Sequence, residues 1–169
     1  MRVGFGYDLH LFDKDRKLIL GGAHIPGSPG LAGHSDADVV CHAVMDALLG
    51  AAALGDIGAF FPDTDDAFKD ASSIRLLEQA ASMVRGRGYS IVNIDITVIA
   101  QEPKLAPYRD LMRRNIAAAA GISIDAVSVK ATTNEGADAT GRGEAVAVHA
   151  VTLIRGRQQS PDMNGEEVS

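Results

Sequence analysis

The class of fold is decided by the stretch Tyr89-Ser90-Ile91-Val92-Asn93-Ile94-Asp95-Ile96-Thr97-Val98-Ile99-Ala100-Gln101. From residue 92 to residue 98 apolar and polar side chains alternate, which is the period of a strand with one face in a core. Residues 72–85 before it have the spacing of an amphipathic helix, and Pro107 after it suits the first turn of a further helix that ends at Gly121. Because helices and strands alternate irregularly along the chain, we predict an α+β fold with the helices packed on one face of the sheet.

Four strands are expected to form this sheet, which should be mixed, with parallel and antiparallel neighbours. The quoted strand is joined by residues 2–10, by a strand that begins at Val127 and by a last strand over residues 144–154. A short hairpin is predicted apart from the sheet, because two apolar runs flank the turn sequence Gly21-Gly22.

Composition narrows the class of protein. The 169 residues fit a single domain, expected over residues 1–155, with a polar and disordered tail over residues 156–169. The formal charge is −6 and the basic residues form no stripe, which argues against nucleic acid as a partner. No apolar run is long enough to cross a membrane, and the N-terminus lacks the features of a signal peptide. With Cys41 as its one cysteine, the chain fits the reducing cytoplasm.

The sharpest chemical signal is a possible metal site. Asp8 and His10 stand two apart in an extended run and therefore on one face of a strand, and His42 lies in a predicted helix. Two nitrogens and one oxygen are the ligands of a catalytic zinc site, which leaves a fourth position open. The ordinary alternative is a polar turn at the end of a strand and a lone histidine on a solvated helix.

The helix around His42 adds two further expectations. Asp38 and Asp46 lie four residues before and after His42, so either carboxylate can accept its second ring N–H. Ser35 and Asp38 resemble a capping box, which would place His34 and Ser35 at the mouth of the helix, where free amides favour a phosphate. A plain N-cap beside a surface histidine is the alternative.

Three loops offer weaker signals. Residues 55–65 are acidic and can accept hydrogen bonds from sugar hydroxyls, although such loops are usually just solvated. Residues 132–135, Thr-Thr-Asn-Glu, can grip phosphate oxygens and recruit Mg²⁺, or form only a polar turn. Residues 101–107 contain two prolines, which make the loop rigid. Its backbone amides and carbonyls can hydrogen-bond the edge of a nucleotide base, or the loop is only a turn between a strand and a helix.

Taken together, six motifs closely resemble the 2-C-methyl-D-erythritol 2,4-cyclodiphosphate synthase family. They occur in order within residues 1–155 and are Gly6-Tyr7-Asp8-Leu9-His10, Ala32-Gly33-His34-Ser35-Asp36-Ala37-Asp38, Ala52-Ala53-Leu54-Gly55-Asp56-Ile57-Gly58, Phe61-Pro62-Asp63-Thr64-Asp65, Ala100-Gln101-Glu102-Pro103-Lys104-Leu105 and Thr140-Gly141-Arg142-Gly143-Glu144.

The resemblance implies a homotrimer with active sites between adjacent subunits. One zinc ion per subunit would bind the three ligands named above, and Glu135 would hold a second divalent ion, Mg²⁺ or Mn²⁺, on the substrate. His34 and Thr133 would stabilise the transition state as the catalytic residues. The remaining contacts with a cytidine diphosphate substrate would come from Ser35, Asp56, Ile57, Gly58, Phe61, Asp63, Asp65, Ala100, Pro103, Lys104, Leu105, Ala106, Thr132 and Arg142.

The implied enzyme is a phosphorus–oxygen lyase of the non-mevalonate isoprenoid pathway. It would cyclise 4-diphosphocytidyl-2-C-methyl-D-erythritol 2-phosphate with loss of CMP. The substrate's 2-phosphate is the nucleophile and is already ionised at neutral pH, so no strong general base is required. The alternatives are a zinc hydrolase with the same ligands and a trimeric nucleotide-binding module without catalysis.

One segment departs from the family pattern. Many members have Lys-Leu-Gly-Phe where residues 136–139 are Gly-Ala-Asp-Ala. In some relatives the aromatic residue, here Ala139, and the arginine, here Arg142, face a threefold cavity that accepts an isoprenoid diphosphate. Since the ring is missing and Asp138 adds negative charge, we predict weak or absent isoprenoid binding in this chain.

Overall fold

The structure is a computed structural model and describes residues 1–156. Its single mixed sheet has five strands in the order β2-β1-β5-β3-β4, in which β3 and β4 are parallel and all other neighbours are antiparallel. The α+β class and the mixed sheet are therefore confirmed. The tail predicted for residues 156–169 lies, beyond Gly156, outside the described residues. The strands are β1 (Arg2–Leu20), β2 (Ala23–Leu31), β3 (Tyr89–Ile99), β4 (Val127–Thr132) and β5 (Ala145–Gly156).

The predicted strand count of four was wrong, because the hairpin is part of the sheet. Gly21-Gly22 does join two antiparallel strands, in which Leu20 pairs with Ala23. The first of them is the continuation of β1, which passes without a break through the polar residues 13–16. Those residues are all charged and lie outside both predicted strands, but a bulge keeps them within β1, and β2 becomes the fifth strand.

Three long helices pack beside one another and against the sheet. Since the second of them contacts both the first and the third, all three lie on the same face, as predicted. No helix among residues 1–156 is long and apolar enough to cross a membrane. The helices are α1 (Val39–Ala51), α2 (Ile57–Phe60), α3 (Ser73–Gly86), α4 (Arg109–Ala120) and α5 (Asp138–Gly141), of which α1, α3 and α4 are the long ones.

The start of α1 differs from the expectation. The capping box at Ser35 was wrong, because α1 begins at Val39 with Asp38 as its N-cap, whose side chain accepts from the amides of Val40 and Cys41. Ala37 just before it has φ of 58°, which cannot continue a helix. His34 and Ser35 therefore belong to the loop between β2 and α1 and lie outside the first helical turn.

The packing of α1 on β1 is unusually close. A Cβ atom at Gly4 would lie 1.9 Å from the carbonyl oxygen of Ala47, and one at Gly6 would lie 2.0 Å from that of Ala43. Only glycine at these two positions lets the helix backbone rest directly on the strand. This contact places the start of α1, including His42, over the part of β1 that follows Gly6.

The opposite face of β1 is open and apolar in the single chain. Alternate residues that point away from α1 are exposed, with Val3 at 67%, Phe5 at 61% and Leu11 at 56% of their full surface. Between them lie the rings of Tyr7 and His149, whose centroids are 5.0 Å apart. These side chains form a contiguous apolar strip on the exposed face of β1.

Candidate functional site

Asp8, His10 and His42 converge as predicted. The Oδ2 atom of Asp8 lies 2.9 Å from Nε2 of His10 and 3.1 Å from Nδ1 of His42, and the two ring nitrogens are 3.3 Å apart. Zinc ligands at about 2.0–2.1 Å from a tetrahedral ion lie roughly 3.3 Å from one another. The three donor atoms thus have the mutual spacing of one face of a zinc tetrahedron, and the chain holds a possible metal site.

The charges in this cluster favour an ionised carboxylate. Burial raises the pKa of Asp8, but hydrogen bonds with His10 and His42 outweigh burial, and the net pKa is far below the ordinary value. For His10, burial lowers the pKa and the contact with Asp8 raises it, with a net rise. Because a ligating imidazole must be neutral, a metal ion has to displace protons from this cluster in order to bind.

Neighbouring groups fix the orientation of both imidazoles. The Nδ1 atom of His10 lies 2.5 Å from the carbonyl oxygen of Ala32, which can only accept, so Nε2 is left free for a metal. The Nε2 atom of His42 lies 3.0 Å from Oγ of Ser73, and that hydroxyl donates to Asp36 at 2.5 Å. Ser73 therefore accepts from His42, which leaves Nδ1 of His42 as the metal-binding nitrogen.

Asp38 and Asp46, predicted as the partners of His42, bond backbone amides instead. Asp38 is fully buried and accepts from the amides of Gly21 and Gly22 in addition to those in α1. Its burial raises its pKa in spite of these bonds. Asp46 accepts from the amide of Ile57, and burial raises its pKa as well. Ser73 was missed because it is 31 residues from His42, beyond any helical or strand spacing.

The metal cluster forms one wall of a cavity of about 280 Å³. His34 and Ser35 also line this cavity, and Nε2 of His34 lies 3.2 Å from the carbonyl oxygen of Asp65. The cavity therefore joins the possible metal site to the predicted phosphate-binding loop. Its lining residues are Asp8, His10, Gly33, His34, Ser35, His42, Met45, Ile57, Phe61, Asp63, Phe68 and Leu76.

A second cavity of about 410 Å³ lies at the ends of β3 and β4. It brings together the predicted substrate contacts Ala100, Pro103, Lys104, Leu105, Ala106 and Thr132 with the predicted catalytic residue Thr133. It also includes Arg109, which the sequence did not indicate because it reads as an ordinary helix residue. This cavity shares no lining residue with the first. It is lined by Ala100, Gln101, Glu102, Pro103, Lys104, Leu105, Ala106, Arg109, Ala131, Thr132 and Thr133.

Local hydrogen bonds hold two of the predicted loops, those around Asp56 and Glu135. Asp56 caps α2 through the amide of Ala59, which fixes the short helix that carries Ile57 and Gly58. The hydroxyl of Thr133 donates to Glu135 at 2.9 Å. Thr133 and His34, predicted to act together, are not brought together within one chain.

Arg142 lies on the surface and is bound to a neighbour. Its guanidinium donates two hydrogen bonds of 2.9 Å to the carboxylate of Glu144. This contact raises the pKa of Arg142 and lowers that of Glu144. The positive charge predicted to attract an anion is therefore largely paired.

Comparison with known proteins gives a consistent family. The model of the YgbB family matches residues 1–155. A 2-C-methyl-D-erythritol 2,4-cyclodiphosphate synthase of Trichlorobacter lovleyi is 56% identical over 91% of this chain and 98% of its own. One from Lachnospira eligens is 60% identical over 91% of this chain and 84% of its own.

Solved structures agree with the sequences. The bifunctional IspDF of Campylobacter jejuni superposes with a TM-score of 0.88 at 44% identity, over 92% of this chain and 42% of that longer one. A CDP complex of IspF from Plasmodium falciparum gives 0.80 at 33% identity, over 93% and 97% of the two chains. The chain therefore belongs to the YgbB family, that of the 2-C-methyl-D-erythritol 2,4-cyclodiphosphate synthases.

Proposed function

We propose that the chain converts 4-diphosphocytidyl-2-C-methyl-D-erythritol 2-phosphate to 2-C-methyl-D-erythritol 2,4-cyclodiphosphate and CMP, as a phosphorus–oxygen lyase of the non-mevalonate isoprenoid pathway. The observation that carries this proposal is the convergence of Asp8, His10 and His42 on the cavity that also holds His34 and Ser35. That cavity pairs a metal-binding cluster with a polar loop, which suits a phosphate.

The donor set suggests which ions the site takes. Two imidazoles and one carboxylate fit zinc, one ion per chain, with an open position for a substrate oxygen. The carboxylate of Glu135 fits a harder ion, Mg²⁺ or Mn²⁺, between phosphates. When bound, such ions neutralise the charge that builds up on the diphosphate.

The residues of the chain bind the substrate and fold it. An oxygen of the 2-phosphate forms a bond to the β-phosphorus, and the bond from that phosphorus to the bridging oxygen breaks, so the electron pair leaves with CMP. His34 and Ser35 would hold a phosphate, while the pocket formed by residues 100–106 would hold the cytosine. Because the attacking oxygen is already ionised, positioning rather than proton removal is the task of these residues.

We further propose a homotrimer whose active sites lie between subunits. A single row of paired residues crosses the sheet from Leu9 on β1 through Ala147 and Ile99 to Thr132 on β4. The strand that carries Asp8 and His10 is therefore three strand spacings, about 14 Å, from the strand that carries Thr132 in the second cavity. The metal cluster and the proposed cytosine pocket are separate in one chain, so a neighbouring subunit is needed to bring them together. The exposed apolar face of β1 offers a surface for that subunit. Sedimentation at three times the mass of the chain tests this.

A cytoplasmic location and a single catalytic domain over residues 1–155 complete the proposal. The buried thiol of Cys41 is free, in keeping with a reducing compartment. The location is tested by fractionating the native host, where we expect the full activity in the soluble fraction. The domain boundary is tested with a chain that ends at residue 155, which should keep the full activity.

The reaction is tested by incubating purified protein with the cytidyl substrate, zinc and magnesium. We expect CMP and the cyclic diphosphate in equal amounts, about one zinc ion per chain, and loss of nearly all activity in a chelator, restored by zinc. In ¹⁸O-labelled water neither product should gain the label. Inorganic phosphate or a labelled, uncyclised product would identify a hydrolase, and nucleotide binding without turnover would identify a non-catalytic module.

Weak isoprenoid binding also stays a prediction. The cavity of about 340 Å³ beside Ala139 is also lined by Asp138, and hydrogen bonds from Thr140 and its neighbours lower the pKa of Asp138 to about 2, so that its carboxylate is negatively charged at neutral pH. Geranyl diphosphate should show no saturable binding at micromolar concentrations in calorimetry, whereas Asp138→Gly with Ala139→Phe should gain affinity at least about tenfold. Micromolar binding to the unaltered protein would contradict the prediction.

A further inference from the structure

We propose that Arg16 is the positioning residue that aims the His34-Ser35 loop at the substrate phosphate. The inference rests on the proposed function, since it names what holds the phosphate-binding loop in place. Arg16 does not line the cavity, whereas Gly33, His34 and Ser35 all do. Arg16 therefore acts on the substrate only through the loop.

Arg16 forms hydrogen bonds with the residues on both sides of His34. Its guanidinium donates from Nη1 to the carbonyl oxygen of Gly33 and from Nη2 to that of Ser35. The carbonyl between them, that of His34, accepts from the amide of Asp70 at 3.0 Å. Three successive carbonyl groups are thus fixed, two of them by one side chain.

These hydrogen bonds also set the direction of the His34 amide. In a trans peptide the N–H of one residue points opposite to the C=O of the residue before it. With the Gly33 carbonyl on Arg16, the His34 N–H points away from the guanidinium, and it makes no hydrogen bond within residues 1–156. A free amide in a loop that lines the cavity is a donor suited to a phosphate oxygen.

The hydrogen bonds from Arg16 matter because the loop that contains His34 and Ser35 is not part of a helix. Since α1 begins at Val39, His34 and Ser35 lack the ordered geometry of a first helical turn. Hydrogen bonds from Arg16 hold their loop instead, together with hydrogen bonds that link His34 and Asp36 to residues 65–73.

The fold presents Arg16 to the loop through the bulge in β1. Asp13 pairs with Gly30 and Lys17 with Pro29, so the three residues between them have no partners on β2. A Cβ atom at Gly30 would lie 2.7 Å from the carbonyl oxygen of Arg16, so glycine there lets β2 pass close to the bulge. The extra residues turn the Arg16 side chain, 26% exposed, toward the loop.

Lysine cannot replace arginine in this role. A planar guanidinium offers a fork of donors that spans two carbonyl oxygens, whereas an ammonium group is a point charge on a flexible stem. The long-range positive charge near the phosphate site is the same for both. Arg16→Lys therefore separates positioning from simple charge attraction.

The test compares Arg16→Lys and Arg16→Gln with the exposed control Arg75→Gln in the full chain. We expect kcat to fall by about 10- to 100-fold in both Arg16 variants, with little change in KM, because a misplaced loop harms alignment more than binding. Zinc content, CMP affinity and melting temperature should stay near those of the wild type. The control variant should keep the wild-type kcat and KM.

Several outcomes would overturn the proposal. If Arg16→Lys keeps the wild-type kcat, the positive charge of Arg16 is sufficient and its two hydrogen bonds do not position the loop. If the Arg16 variants raise KM and leave kcat unchanged, Arg16 attracts the substrate and does not align it. Unfolding of both variants would make it a residue of the fold. If neither the wild type nor Arg75→Gln releases CMP, the proposed function is overturned. This result is distinguishable from a failure of the Arg16 proposal because both of these proteins keep Arg16.

Discussion

Replacing His42 with alanine is expected to remove the metal and lower CMP release by at least about a thousandfold. His42 supplies one of three donor atoms that lie 2.9 to 3.3 Å from one another, and two remaining ligands do not hold zinc at a catalytic site. Loss of a metal removes several kcal/mol of transition-state stabilisation, and each 1.36 kcal/mol is a factor of ten in rate. Metal analysis and CMP release under saturating substrate measure both effects.

The control for this variant is His24→Ala. His24 is exposed on β2 and pairs with Ile19, far along the strand from Asp8 and His10, so its removal should leave both metal content and rate unchanged. Binding of CMP, which we propose takes place in the other cavity, should survive in His42→Ala and show that the chain is folded. An active, metal-free His42→Ala protein would remove the metal from the mechanism.

Local periodicity accounts for the parts of the fold and the site that could be predicted. The alternation in β3, the apolar stripe of α3 and the Pro107 and Gly121 that flank α4 indicated where these elements lie, and the spacing of Asp8 and His10 put both on one face of β1. Their convergence with His42, which is 32 residues from His10, was predicted from the types of ligand and from the family resemblance, because no local pattern links a strand to a helix face.

Tertiary contacts account for what could not be predicted. Asp38 looked like a partner for His42 but is drawn to the amides of Gly21 and Gly22, which belong to the hairpin turn. The same hairpin is part of the sheet because β1 continues through a bulge that contains the charged residues 13–16. In each case the deciding partner is remote in sequence, and local patterns carry no information about it.

Replacing Gly6 with alanine is expected to destabilise the protein by about 3 kcal/mol or more and to weaken metal binding. The added Cβ would lie 2.0 Å from the carbonyl oxygen and 3.0 Å from the carbonyl carbon of Ala43, and 2.7 Å from the amide nitrogen of Ala47. These are backbone atoms, so no side chain can swing aside and α1 itself must move. Overpacking against backbone belongs to the upper end of the cost of core insertions.

The displacement of α1 carries His42, the neighbour of Ala43, away from Asp8 and His10. We therefore expect the melting temperature to fall by roughly 6–12 °C and the zinc affinity to fall with it, as calorimetry and competition with a chelator would show. Gly50→Ala is the matched control, because nothing lies within 4 Å of a Cβ at that exposed position of α1. It should be neutral or slightly stabilising, since alanine favours helix over glycine. A Gly6→Ala protein that melts like the wild type and keeps its zinc would mean that α1 does not rest on β1 as closely as described.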